Sequence, residues 1–300
     1  MADLTLALDV GGTKIAAGLV DPDGILVASE QLPTPDVGAE AVWDVVAQLV
    51  TQMAAGTEVR GVGIGSAGPI HLPTGTVSPI NITAWQNFPL RDRVAALVPG
   101  LPVRLGGDGL CMALGEHWRG AGRGASFLLG IVVSTGIGGG LVLNGAPYDG
   151  RTGNAGHVGH VVVDVDGPLC SCGGHGCAEA IAAGPRMAQW AREHGWVAPP
   201  EADAKELAAA AIAGDTVALQ AFTRGATAIA AMIASVGAVC DLDLVVIGGG
   251  VAKAGGLLFD PLRQALSRYA GLDFIAGMRA VPAELGGEAG LIGAAALLRE

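Results

Sequence analysis

The chain has 300 residues, 51% of them apolar and 15% charged, enough to bury a large core in one large or two ordinary domains. A formal net charge of -11 disfavours nonspecific attraction to nucleic acid or to an anionic membrane. The opening MADLTLALDV lacks a basic segment, and the longest apolar stretch, Ala226 to Cys240, is shorter than the roughly 20 residues that cross a bilayer. A cytoplasmic protein without signal peptide or membrane span is the expectation.

The first elements alternate strands with glycine turns: LTLALDV, IAAGLV and GILVASEQL, separated by DVGGTK and DPDG, predict a three-stranded meander. From Ala39 to Met53 the apolar positions Val42, Val45, Val46, Leu49, Val50 and Met53 recur at helical spacing, and VRGVGIG resumes as a strand. After a loop rich in Pro, Thr and Asn, FPLRDRVAALV predicts a helix and PVRLGGD a strand that brings Asp108 to its carboxyl end, where α/β sheets place ligand chemistry. SFLLGIVV and LVL then predict two strands joined by STGIGGG, Ser134 to Gly140, echoing the first hairpin. Helical patterns fill Ala178 to Val239, followed by the strand LDLVVIG, the triplet Gly248 to Gly250, a helix near Leu257 to Tyr269 and a small-residue helix from Ala289 to Leu298. Two units that each open with a hairpin and a glycine turn point to a duplicated α/β architecture with a ligand cleft between lobes.

A turn that approaches phosphate must lack side chains and converge its backbone N–H groups, which suits Gly11 and Gly12 beside Thr13, with Lys14 adding positive charge. One such turn is also an ordinary hairpin. Three of them, at Gly11, Gly136 and Gly248, each beside a strand, favour phosphate binding. Neither the GxGxxG nor the GxxxxGK[ST] spacing occurs, which disfavours a nicotinamide-dependent dehydrogenase. Five cysteines are an odd number, and Cys170, Cys172 and Cys177 cluster, which points to a metal site rather than a disulfide framework. With His160 they form a closed three-thiolate, one-imidazole set suited to structural zinc; His175 is a competing fourth ligand. Cys111 and Cys240 sit in apolar surroundings and receive no role.

These motifs together resemble the ROK family of sugar kinases and regulators over essentially the whole chain. DVGGTK looks like the family's first phosphate loop, STGIGGG like its second, VIGGGV like its adenosine-side turn and CSCGGHGCAE like its zinc signature. The resemblance implies an actin-like, hexokinase-like α/β fold of two lobes with ATP and sugar in the cleft between them. It divides the chain into a small lobe, residues 1–107 plus 288–300, and a large lobe, residues 108–287, that carries the zinc loop. It further implies Mg²⁺ with ATP, phosphate or nucleotide contacts from Asp9, Gly11, Gly12, Thr13, Lys14, Thr135, Gly136, Gly138, Gly248, Gly249 and Gly250, and structural Zn²⁺ on His160, Cys170, Cys172 and Cys177. A homodimer or homotetramer is expected from relatives.

The family's base, an aspartate commonly within NDAN, matches GDGL here, so Asp108 takes that role: a carboxylate in reach of a sugar hydroxyl accepts its proton as the bond to phosphorus forms. Of the family's sugar contacts, Gly68, His160 and Glu179 fit. Gly107 stands where Asn is usual, and His157 where Glu is usual; the second change replaces an acceptor-only carboxylate with a ring that can donate or accept. The HVGH form resembles bacterial N-acetylmannosamine kinases of the family. An ATP-dependent 6-kinase for a hexose or N-acetylhexosamine is therefore the expectation, with N-acetyl-D-mannosamine preferred, glucose as alternative, and a non-catalytic sugar-sensing regulator as the reading from another class. Family repressors carry a DNA-binding segment ahead of the kinase-like body, whereas DVGGTK begins here at Asp9, so no nucleic-acid partner is expected. Ligands are expected to close the lobes, shielding the reacting phosphate from water.

Overall fold

A computed structural model describes residues 3–299; Met1, Ala2 and Glu300, the outermost residues of the expected small lobe, lie outside the described residues. Strands β1 (Leu4–Val10), β2 (Lys14–Val20) and β3 (Leu26–Pro33) form the expected meander, followed by α1 (Ala39–Ala54) and β4 (Val59–Ser66). A short hairpin, β5 (Ile70–His71) and β6 (Thr76–Val77), precedes α2 (Leu90–Leu97) and β7 (Val103–Gly107). Helix α1 forms because Val42, Val46, Leu49 and Val50 fall on one face and bury there, each contributing about 1.5–3 kcal/mol. Helix α2 starts later than expected, at Leu90, because Phe88 pairs with the backbone of Val77 and Pro89 caps the helix without continuing the pattern.

With β4 parallel to β1 and β7 parallel to β4, the first sheet has the order β3-β2-β1-β4-β7. The second half repeats it. After α3 (Asp108–Arg119) come the antiparallel strands β8 (Phe127–Val133), β9 (Ile137–Leu143) and β10 (Ala146–Tyr148), then helices α4 (Ala178–Ala182), α5 (Gly184–Glu193), α6 (Ala204–Ile212) and α7 (Thr216–Cys240). Strand β11 (Leu244–Gly248), α8 (Gly256–Tyr269), β12 (Arg279–Pro282) and α9 (Ala289–Ala296) complete the chain, and the second sheet has the order β10-β9-β8-β11-β12 with the same parallel and antiparallel pairings. The duplicated α/β architecture is thus present strand for strand. α7 is longer than the apolar run that marks it: it is the one described helix long and apolar enough to cross a membrane, but 61% of its apolar window is buried, and Phe222, Ile229 and Ile233 pack in the core of the second half.

Each sheet has its own core, one around Leu6, Leu8, Val46 and Trp85, the other around Leu129, Ile131, Met187 and Phe222. Between them cross α3 and α9. α3 lies on β8 and β9 through Leu110, Met112 and Leu114, and α9 lies on the first sheet through Leu291 and Ala294 against Ala7 and Val20. The two helices touch backbone to backbone: a Cβ at Gly293 would stand 1.6 Å from the Cys111 carbonyl oxygen, and one at Gly115 2.2 Å from that of Ala289. α3, β5, β6, β10 and β12 lie outside the elements expected from the sequence. The expected STGIGGG turn is also shorter than its glycines imply. It spans Ser134–Gly136, and Gly138 to Gly140 belong to β9, where a Cβ at Gly140 would meet the Leu110 Cα at 2.3 Å. Part of that glycine run therefore serves the packing of α3 on β9.

Candidate functional site

The glycine turns sit at the ends of the central strands. In the first, Gly11 N–H donates to the Lys14 carbonyl at 3.1 Å and Thr34 Oγ1 donates to the Gly11 carbonyl at 2.7 Å. Among the described residues no protein group accepts from the N–H of Gly12 or Thr13, which leaves two amides for an anion. Lys14 Nζ donates to Gln31 Oε1 on β3 at 3.1 Å, and its charge also acts on Asp9. Asp9, one residue before the end of β1, has its pKa raised to about 6, first by burial and then by the charge of Asp108, with Lys14 opposing. Its carboxylate packs against the start of α9, where a Cβ at Gly290 would stand 2.5 Å from Oδ2.

In the second turn Ser134 N–H donates to the Gly136 carbonyl at 2.8 Å, and the N–H groups of Thr135 and Gly136 are likewise without a protein acceptor among the described residues. The third turn lies beside it: Gly249, at φ +93°, crosses the end of β8 so closely that a Cβ would meet the Val133 carbonyl oxygen at 2.3 Å, while Gly250 faces open space. Gly184 N–H, at the start of α5, closes the group by donating to the Ser134 carbonyl at 2.8 Å. Glu179, the second residue of α4, accepts from Ile137 N–H at 2.8 Å through Oε2 and from Ser171 Oγ at 3.3 Å through Oε1, so it joins the second turn to the cysteine loop.

A small cavity is lined by Gly68, Gly107, Asp108, Gly138, Asn154 and His157 among others. Residues from four separate stretches of sequence thus meet. Asp108 is the first residue of α3, directly after β7, and its Oδ1 accepts from Gly109 N–H at 2.7 Å. Burial raises its pKa above the ordinary carboxylate value, and the Gly109 N–H and the nearby His157 work against that rise. His157 Nε2 lies 3.2 Å from where a Cβ on Gly68 would stand. Gly107 has an extended backbone and nothing within 4 Å of its own Cβ position, so the missing side chain leaves space beside Asp108. Asn81 and Asn154 also stand beside these groups, although the sequence marks neither. Asn81 lies over Gly12, 2.6 Å from a Cβ there, and Asn154 hydrogen-bonds Ile70. Each reads in sequence as a turn asparagine, and only the chain's return to a distant segment reveals the contact.

The donor atoms of His160, Cys170, Cys172 and Cys177 all lie within 4.8 Å of one another. Cys172 Sγ and Cys177 Sγ are 3.8 Å apart, as are Cys170 Sγ and His160 Nδ1. A tetrahedral zinc with Zn–S bonds near 2.3 Å has a sulfur–sulfur edge of about 3.8 Å, so the donor set and its spacing fit structural zinc. His175 is exposed on the loop and is not part of this group. Elsewhere, Cys111 is fully buried under the α3–α9 crossing and Cys240 is half-buried at the end of α7.

A family model described as ROK family matches residues 5–300. A glucokinase of Thermotoga maritima is 37% identical, over 98% of this chain and 97% of the relative. An N-acetylmannosamine kinase of Yersinia pseudotuberculosis is 36% identical over 84% and 85%. The crystal structure of a ROK family glucokinase from Streptomyces griseus in complex with glucose and AMPPNP superposes with a TM-score of 0.83 at 36% identity, covering 99% of each chain.

Proposed function

The chain belongs to the ROK family, and we propose that it is an ATP-dependent sugar kinase that phosphorylates the 6-hydroxyl of a hexose or N-acetylhexosamine, with N-acetyl-D-mannosamine the first choice and glucose the alternative. The observation that carries the reading is the meeting of Asp108 with Gly68, Gly138 and His157 in one cavity. Asp108 accepts the proton of the sugar hydroxyl as its oxygen attacks the terminal phosphorus of MgATP, and ADP leaves. The open amides of Gly12, Thr13, Thr135 and Gly136 would bind phosphate oxygens, with Gly11, Lys14 and Gly138 beside them, and Asp9 would serve the Mg²⁺ that accompanies ATP. Gly248, Gly249 and Gly250 border the nucleoside. The lobes divide at residues 107/108 and 287/288, which puts the start of α3 and the approach to α9 at the two crossings.

Gly68, His157 and Glu179 contact the sugar. Cys170, Cys172, Cys177 and His160 would hold the zinc, which would supply no acid–base chemistry and would fix the loop that holds Glu179, with the other nitrogen of the His160 ring turned to the sugar. Preference for N-acetylmannosamine is supported by His157 and by the N-acetylmannosamine kinase relative; the glucokinase relatives support glucose.

A single screen tests the reading: ADP release with glucose, mannose, N-acetylglucosamine and N-acetylmannosamine, with Asp108→Asn as the blank. ADP release above the blank with one of these sugars supports it. Sugar binding without ADP release from any of the four would make the protein a sugar sensor instead.

A further inference from the structure

The segment 149–156, between β10 and the His157 turn, has no regular structure, yet it is pinned to the opposite wall of the cavity. Asn154 makes most of that connection. Its Oδ1 accepts from Ile70 N–H at 3.0 Å and its Nδ2 donates to the Ile70 carbonyl at 2.7 Å, so one side chain satisfies both backbone groups of a residue 84 positions away. Nδ2 also donates to Thr152 Oγ1 at 3.0 Å, and Leu72 N–H donates to the Thr152 carbonyl at 3.0 Å. Ile70 stands two residues after Gly68 and lines the same cavity. The wall that carries Gly68 and the wall that carries His157 are therefore set against each other by the Asn154 amide.

The main-chain carbonyl of Asn154 meets His157 Nδ1 at 2.9 Å. A carbonyl oxygen only accepts, so Nδ1 carries the proton, and in the neutral ring Nε2 is left with a lone pair. Nε2 is the atom that lies against Gly68. Neutral His157 thus presents an acceptor to the cavity, the same hydrogen-bonding sense a carboxylate would have there, at a different reach.

We propose that Asn154 is a positioning residue of the sugar pocket: its amide clamps the Gly68–Ile70 wall and its carbonyl holds His157 as an acceptor for a sugar hydroxyl or amide N–H. The proposal rests on the sugar-kinase reading. Aspartate lacks the donor for the Ile70 carbonyl and alanine lacks every side-chain bond, so both substitutions release the clamp; the main-chain carbonyl that meets His157 stays, but the segment that aims it is no longer pinned.

The test compares the full-length parent with Asn154→Ala and Asn154→Asp, measuring KM for sugar, KM for ATP, kcat and the long-range ¹H–¹⁵N spectrum of the histidine rings above neutral pH. The expected result is a sugar KM raised about tenfold or more in both variants, an ATP KM within about twofold of the parent, and a parent His157 protonated on Nδ1 that loses this single form in the variants. A purely structural role would move both KM values together. A sugar KM that stays at the parent value, or a parent His157 carrying its proton on Nε2, overturns the proposal. If the variants do not fold, the parent spectrum still decides the tautomer. Failure of the parent to phosphorylate any sugar would instead sink the kinase reading, and the histidine spectra would then decide the positioning claim by themselves.

Discussion

Glu116 Oε1, on the buried last turn of α3, accepts a hydrogen bond from Leu285 N–H at 2.8 Å, which anchors the chain entering α9 to the helix that leaves the first sheet. Its Oε2 accepts from Ala121 N–H at 2.9 Å and from Glu284 N–H at 3.1 Å. The side chain has no exposure, and among the described residues no basic group pairs with it, so three backbone donors balance the carboxylate. Glu116→Ala leaves those donors unpaired and should cost about 3 kcal/mol or more. Glu116→Gln, which keeps one acceptor oxygen, should cost less. Thermal melts of the two variants check the order; a melting temperature for Glu116→Ala equal to the parent's would refute the anchoring role.

Asp9 titrates at about 6 where an unburied aspartate titrates at 3.8. Between those values the folded chain binds more protons at this site than the unfolded chain, so the site's contribution to stability falls as pH rises through the window. Above it the buried charge costs about 3 kcal/mol. Asp9→Asn should therefore raise the melting temperature near pH 8, lose that advantage as pH is lowered towards 4, and abolish most phosphoryl transfer. Melts across this range test it, and a gain of equal size at both ends would show that the carboxylate's charge is not the cause.

As the proposed base, Asp108 would act only when ionised. Burial raises its pKa, so the acid limb of kcat/KM should lie above the ordinary aspartate value, with activity lost as pH falls through it. Asp108→Asn should lower kcat by a factor on the order of 10²–10⁴ and leave sugar affinity within a few-fold. A pH–rate profile of both forms is the check. Retention of the parent's kcat by the Asn variant would assign the base elsewhere.

Much of the fold is legible in the sequence because most elements are amphipathic or end on glycine. The stripe Val42, Val46, Leu49 marks α1, and the apolar runs around DVGGTK and STGIGGG mark the two hairpins. α3 is hidden for a physical reason: residues Gly109 to Glu116 are all buried, so the helix has no polar face to set its period. The same crossing misleads about Gly138 to Gly140, whose place in β9 reflects contact with α3 as well as the cavity. The cysteine loop is legible because three of its four donors, Cys170, Cys172 and Cys177, fall within eight positions. Asn154 is not, since its partner Ile70 is 84 positions away and neither residue is unusual where it stands.

Three cysteine sulfurs and an imidazole gathered within 4.8 Å form a donor set suited to zinc, which would bind the sulfurs as thiolates. One zinc per chain is expected by elemental analysis. Removing it with a chelator should lower the melting temperature and the affinity for sugar, because Ser171 and Glu179 are tied to the loop, while ATP affinity changes less. Cys172→Ala should reproduce both effects. Full sugar affinity in metal-free protein would separate the loop from the pocket.

On the proposed reading, Gly107 and His157 are the two positions through which sugar preference is to be tested. Gly107 has an extended backbone with φ -68° and ψ 148°, which any residue adopts, and no atom lies within 4 Å of the place a Cβ would take. Asparagine therefore fits there without strain and supplies an amide beside Asp108. If the bound sugar leaves that space to water, Gly107→Asn should lower the sugar KM by about three- to tenfold, the worth of one hydrogen bond. If a substituent such as an acetamido group occupies the space, the same change should raise KM for N-acetylmannosamine while lowering it for glucose. His157→Glu keeps an acceptor on the cavity wall but replaces a ring by a charge, and should shift the ratio of kcat/KM values towards glucose by about tenfold. Measuring both sugars with both variants separates the cases, and a ratio unmoved by either substitution would place sugar discrimination outside this pair.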